Sequence, residues 1–166
     1  MSTILLVYYS RTGTTRRAAE ELRQYLPCDV EEIREERTRE GKTGYARSLF
    51  DVLMRRHPAI RPSGKDLAGY DMVVIATPVW ASDISSPVRS YVLENRDRFK
   101  RIAAFCTMGG TGGNKALDHM AHLCQRTLAA RLVLTDAEIE SGLSSAKLKA
   151  FANAVAHELA FEAAPV

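Results

Sequence analysis

Apolar residues along this 166-residue chain fall into two kinds of run that alternate from end to end. Short blocks at Thr3 to Tyr9, Asp29 to Arg34, Met72 to Ala76, Ile102 to Cys106 and Arg131 to Thr135 read as five strands. Three are near-continuous apolar runs, as expected where both faces of a sheet are covered. The second is charged enough to be an edge. Between them apolar residues recur at helical spacing: Ala18, Ala19, Leu22, Leu26; Tyr45, Leu49, Val52, Leu53; Val88, Tyr91, Val92; Leu117, Met120, Ala121, Cys124, Leu128; and Leu148, Phe151, Ala152, Val155, Leu159. Five amphipathic helices follow. Ser86 before Pro87 marks a helix start, and Ser144 or Ser145 can cap the last helix.

That alternation, without repeats or a linker-like shift in composition, predicts one α/β domain over residues 1–166. The expected architecture is a doubly wound five-stranded parallel sheet, order 2-1-3-4-5, with helices on both faces. In that order the winding reverses beside strands one and three, so a ligand belongs outside their carboxyl ends.

Composition narrows the class. A hydrophobic content of 46% supports a core without disulfide or metal staples, and no apolar run approaches a membrane span. Cys28, Cys106 and Cys124 are widely spaced, with no C-x-x-C, and read as packing residues. His119 and His122 share a helix at i, i+3, but no carboxylate or thiolate set is expected to join them, so no metal site is assigned. The formal charge is +3, yet bases alternate with acids in Arg34-Glu35-Glu36-Arg37-Thr38-Arg39-Glu40, which is a solvated loop rather than a nucleic-acid patch. Met1 leads directly into the first strand, with neither a basic region nor a cleavage site, so a cytoplasmic protein is expected.

Three loops at the predicted ligand edge carry the candidate chemistry. Ser10-Arg11-Thr12-Gly13-Thr14-Thr15 sets four hydroxyls around a glycine just before a helix. Unsatisfied N–H groups at a helix start attract anions, and the hydroxyls can donate to phosphate oxygens; Ser and Thr are also ordinary helix caps. The loop has neither the Gly-Lys-Ser/Thr ending of a P-loop nor G-x-G-x-x-G, so a single phosphomonoester fits better than ATP or NAD. Thr77-Pro78-Val79-Trp80-Ala81 follows the third strand and holds the chain's only Trp, a planar surface for a heteroaromatic ring. Thr107-Met108-Gly109-Gly110-Thr111-Gly112, after the fourth strand, can expose backbone amides.

Together these loops resemble the flavodoxin-like flavoproteins: S/T-x-T-G-x-T, then T-P-V-W, then a C-T-x-G-G-type loop, in that order across the whole chain. The resemblance implies FMN as cofactor. Ser10, Arg11, Thr12, Gly13, Thr14 and Thr15 would hold its phosphate; Thr77, Pro78, Val79, Trp80 and Ala81 would flank the ring, with Trp80 stacked; and Thr107, Met108, Gly109, Gly110, Thr111 and Gly112 would meet the pyrimidine end. Three features depart from the family pattern. The chain is mildly basic where electron-transfer flavodoxins are acidic; the third loop lacks an aromatic; and Ala81 follows Trp80 where many members have a glycine near flavin N5.

The implied function is electron transfer with a redox partner protein. The alternative is an NAD(P)H-dependent quinone or flavin reductase, with a small quinone or nicotinamide substrate and a possible homodimer. A flavin-free interaction module is the remaining alternative. The stretch 57–65 reads as an extended surface segment available to a partner.

Overall fold

In the computed structural model, which describes residues 3–36, 43, 44, 46, 47, 49, 50 and 57–163, strands and helices follow one another as the apolar pattern predicts. The elements are β1 (Ile4–Tyr8), α1 (Thr14–Leu22), β2 (Asp29–Glu32), β3 (Met72–Trp80), β4 (Asp83–Ile84), α2 (Ser86–Asn95), β5 (Ile102–Met108), α3 (Gly113–Cys124), β6 (Leu128–Thr135), α4 (Asp136–Ser141) and α5 (Ser144–Ala163). Of the expected second helix, Tyr45, Val52 and Leu53 lie outside the described residues, as does 37–40 of the charged run.

The sheet order is β2-β1-β3-β5-β6, all parallel, with the short β4 antiparallel to β3. Counting parallel strands alone, this is the expected 2-1-3-4-5. Alternation along each strand divides the core in two. Leu6, Val74 and Phe105 pack against Ala18 and Leu22 of α1 and Leu148, Phe151 and Val155 of α5. Leu5, Val7, Val73 and Ile75 point the other way, to Val88 and Tyr91 of α2 and Leu117 and Met120 of α3. Each fully buried side chain of this size contributes about 1.5 to 3 kcal/mol, and the helices that cover both faces are the crossovers that keep successive strands parallel.

Several boundaries move for identifiable reasons. β3 runs past Ala76 to Trp80, because Thr77 and Pro78 remain paired with Cys106 and Thr107 of β5, and Val79 and Trp80 then form a hairpin with β4. Helix α2 is capped at Ser85, one residue earlier than Ser86-Pro87 suggests. Ser144 and Ser145 instead donate hydrogen bonds to the Glu21 carboxylate, joining α5 to α1. Helix α4 is not among the five expected; it opens with a capping box in which Glu138 N–H donates to Thr135 Oγ1 at 3.2 Å and Thr135 N–H donates to Glu138 Oε2 at 2.9 Å.

The charged strand β2 is the edge, and residues 57–65 lie along it. Arg61 N–H donates to Arg34 O at 2.8 Å, Glu35 pairs antiparallel with Ile60, and Glu31 accepts from Gly64 N–H at 2.7 Å. The chain's own segment thus covers part of an edge that would otherwise present open backbone groups.

Candidate functional site

At the carboxyl end of β1, Gly13 holds φ +98°, a left-handed conformation that glycine adopts without a Cβ penalty. It is the N-cap of α1, and no side chain caps that helix. Ser10 Oγ accepts from Gly13 N–H at 3.0 Å and so folds the loop back on itself. Thr12 and Thr14 hydroxyls stand 3.5 Å apart. The first turn carries no acidic residue, so the positive end of the helix remains available to an anion.

Thr15 is buried, and its hydroxyl lies 2.8 Å from that of Thr107. One of the two donates to the other, which leaves one hydroxyl proton free. This contact ties the first loop to the end of β5. Thr107 follows Phe105 by two residues and therefore faces the α1 side of the sheet.

A cavity of about 330 Å³ opens over these residues, a size within the range of small-molecule sites. Arg11, Thr12, Thr14 and Thr15 line it together with Pro78, Val79, Trp80, Ala81, Thr107, Met108 and Gly109. Ser10 and Gly13 line an adjoining groove that shares Arg11 and Thr12. The remaining expected residues are placed differently. Thr77 is fully buried; its hydroxyl accepts from Ser85 N–H at 3.1 Å and so braces the start of α2 instead of facing the cavity. Gly110, Thr111 and Gly112 are not among the lining residues.

Trp80 is held edge-on by Tyr9, with ring centroids 5.6 Å apart at 87°. Beyond it the chain reverses through Ala81 and Ser82, at φ 51° and 60°. A two-residue hairpin loop with both residues left-handed is the mirror-image turn that suits strand twist, but it is usually built with Asn and Gly. Gly112 locks this turn: at φ +96°, it sits where an added Cβ would lie 2.5 Å from Ser82 Oγ and 2.7 Å from Ser82 Cα.

Behind the turn, Asp83 accepts from Arg89 and from Ile84 N–H at 2.7 Å, and meets His119 Nδ1 at 2.9 Å. Burial pushes the Asp83 carboxyl up, but the His119 and Ile84 hydrogen bonds and the Arg89 charge outweigh it and hold it below its ordinary value. The β3–β4 hairpin brings Asp83 to His119 from 36 residues away in sequence, a contact that the helical spacing of His119 and His122 does not suggest. Among the described residues no group of three or more His, Cys, Asp or Glu could hold a metal ion.

Two lining residues were not singled out from the sequence. Leu49, which its apolar spacing places only on a helix stripe, is one of them. Asp136 follows the last strand, a loop that the switch-point rule did not single out; the Thr135-x-x-Glu138 capping box marks that helix start in the sequence. Cys106 and Cys124 are buried, and burial raises both thiols to about 12. They are packing residues, not nucleophiles.

The fold and this cavity define a class: doubly wound α/β proteins with an uncapped helix start and an aromatic wall at the switch point. The flavodoxin family model matches residues 3–154, and the chain belongs to that family. The fold is similar to that of a flavoprotein from Lactobacillus acidophilus NCFM solved in complex with FMN, with a TM-score of 0.71 and 19% identity over 85% of this chain and 98% of that one. The two-electron reduced flavodoxin of Megasphaera elsdenii gives 0.57 at 20% identity, over 92% and 98%. The Fusobacterium nucleatum flavodoxin bound to flavin mononucleotide gives 0.59 at 9% identity, over 95% and 99%. At these identities the likeness concerns the fold. No curated protein matches the sequence significantly.

Proposed function

We propose that the cavity binds FMN and that the protein serves as an electron carrier. The observation that carries this reading is the joining, in one cavity, of the uncapped start of α1 with its Thr12, Thr14 and Thr15 hydroxyls and the Trp80 ring. The residues fit the group: N–H and hydroxyl donors at a helix start whose first turn carries no acid suit a phosphomonoester, and an indole suits a flat heteroaromatic. Bound FMN would supply the capacity to accept and pass on electrons. The chain's own part is to hold the phosphate with the loop after β1, to stack or wall the ring with Trp80, and to offer backbone amides from Met108 and Gly109.

A reductase is the second reading. It draws support from the end of β5, where Met108 and Gly109 line the cavity and, among the described residues, no second aromatic does; a face so lined would admit a quinone or nicotinamide, with a second copy of the chain completing the surface. No helix among the described residues is long and apolar enough to cross a membrane. Free Cys28, Cys106 and Cys124 suit a reducing, cytoplasmic setting.

Reconstitution tests the cofactor. FMN is expected to lose fluorescence on binding and to raise the melting temperature, because a ligand of the native state must stabilise it. Trp80→Ala and Thr12→Val should each weaken FMN binding by about 1 to 3 kcal/mol; wild-type affinity in both variants would refute the site. Anaerobic titration of the loaded protein separates the two functions: bleaching by dithionite alone marks a carrier, and direct bleaching by NADH or NADPH marks a reductase.

A further inference from the structure

Among the described residues, Asp136 is the single carboxylate that lines the cavity. It is half-buried at the first position of α4, and it enters the site because Thr135 pairs with Met108 at the end of β5. A Cβ built on Gly109 would lie 3.1 Å from Asp136 Oδ2, so the absence of a side chain at Gly109 gives the carboxylate room beside the third loop. Its own helix does not engage it: the capping box uses Thr135 and Glu138. Among the described residues the Asp136 carboxylate accepts no hydrogen bond. Burial, then the nearby Glu140, raises its pKa above the ordinary value, as expected of an acid without donors.

A half-buried carboxylate that faces a cavity and has no protein donor can be engaged by a ligand that brings one. The phosphate cannot be that group, because it offers only acceptors and like charge. The hydroxyl loop and Arg11 line the same cavity and supply the donors that suit an anion. We propose that Asp136 accepts a hydrogen bond from an O–H or N–H on the uncharged part of the bound flavin nucleotide. It thereby determines specificity, admitting a donor where a second phosphate or a carboxylate would be rejected. This rests on the FMN reading above.

The test is a fluorescence titration of wild-type, Asp136→Ala and Asp136→Asn chains with FMN and with riboflavin, which lacks the phosphate. Loss of one charge-assisted hydrogen bond should weaken FMN about tenfold or more in Asp136→Ala, and riboflavin in the same proportion where its binding is measurable. Asp136→Asn keeps an acceptor oxygen and should lose less. Ligand-free melting should barely change, because the α4 cap does not use this side chain. Unchanged FMN affinity in Asp136→Ala overturns the inference. So does tighter FMN binding, which would place the carboxylate beside the phosphate. Wild-type chain that binds neither flavin overturns the cofactor reading, and this inference with it.

Discussion

Gly13 and Gly112 hold nearly the same backbone conformation in two different surroundings. Both are left-handed N-caps, at φ +98° and +96°, and both lead from a strand of the sheet into a helix, α1 and α3. A Cβ on Gly13 would meet nothing within 4 Å, whereas on Gly112 it would enter Ser82, backbone included. The first loop is shaped by its own residues: Ser10 accepts from Gly13 N–H, and Thr12 meets Thr14. The second is shaped by what lies opposite. A site can therefore be half local in origin and half the product of long-range fit.

The largest expected effect follows from that contrast. Gly112→Ala combines left-handed strain with overpacking against backbone that cannot swing aside, together about 2 to 5 kcal/mol. Gly13→Ala incurs the strain alone, about 1 to 2 kcal/mol. Urea denaturation of both variants measures the gap. Equal losses would mean that the β3–β4 turn yields easily and that the contrast has no energetic content.

Asp83 comes next, because it holds the same turn from behind. Its pair with Arg89 is largely buried, with 10% of the Arg89 and 14% of the Asp83 side chain exposed. Arg89 Nε already lacks a partner among the described residues. Asp83→Asn should therefore cost about 2 to 4 kcal/mol near neutral pH. The sign of its pH dependence follows from the depressed carboxyl. Unfolded, Asp83 titrates near 3.9; folded, it titrates lower. Its contribution is thus complete well above pH 4 and drains as pH falls through the unfolded and then the folded value. Denaturation at a series of pH values should show wild type and Asp83→Asn converging on acidification. Parallel curves would remove the carboxylate from the turn's support.

The two halves of the site differ just as much in what the sequence reveals. The alternation of apolar blocks suffices for the parallel α/β class, because parallel strands buried on both faces leave an unmistakable run such as Ile4 to Tyr8. Ser10 to Thr15 and Trp80 are recognisable because residue type and position after a strand carry the signal. Thr77 is misleading: strand parity turns it to the α2 side, where it holds Ser85, although its neighbours Pro78 and Val79 reach the cavity. Asp136 and the His119–Asp83 contact arise only when separate elements converge, and no local pattern encodes that convergence. The mirror-image turn is hidden for another reason: Ala81 and Ser82 lack the Asn-Gly signature, so the sequence predicts a loop where the chain makes a tight hairpin.

That missing signature leads to the smallest and most discriminating change. Ala81 at φ 51° carries strain that glycine would not, about 1 to 2 kcal/mol. Glycine also gains freedom in the unfolded chain, which takes back roughly 0.5 to 1 kcal/mol. Ala81→Gly should therefore stabilise the ligand-free protein by about 0.5 to 1 kcal/mol, read as a higher urea midpoint at unchanged slope. FMN titration of the same variant then asks what the strain is for. If affinity falls while stability rises, the alanine holds the turn beside Trp80 in the binding geometry, and the hairpin trades stability for a preformed wall. If both rise, the Gly112 contact alone is enough to set the turn. A variant less stable than wild type would instead show that the Ala81 methyl packs within the cavity wall, and would place this half of the site with the core.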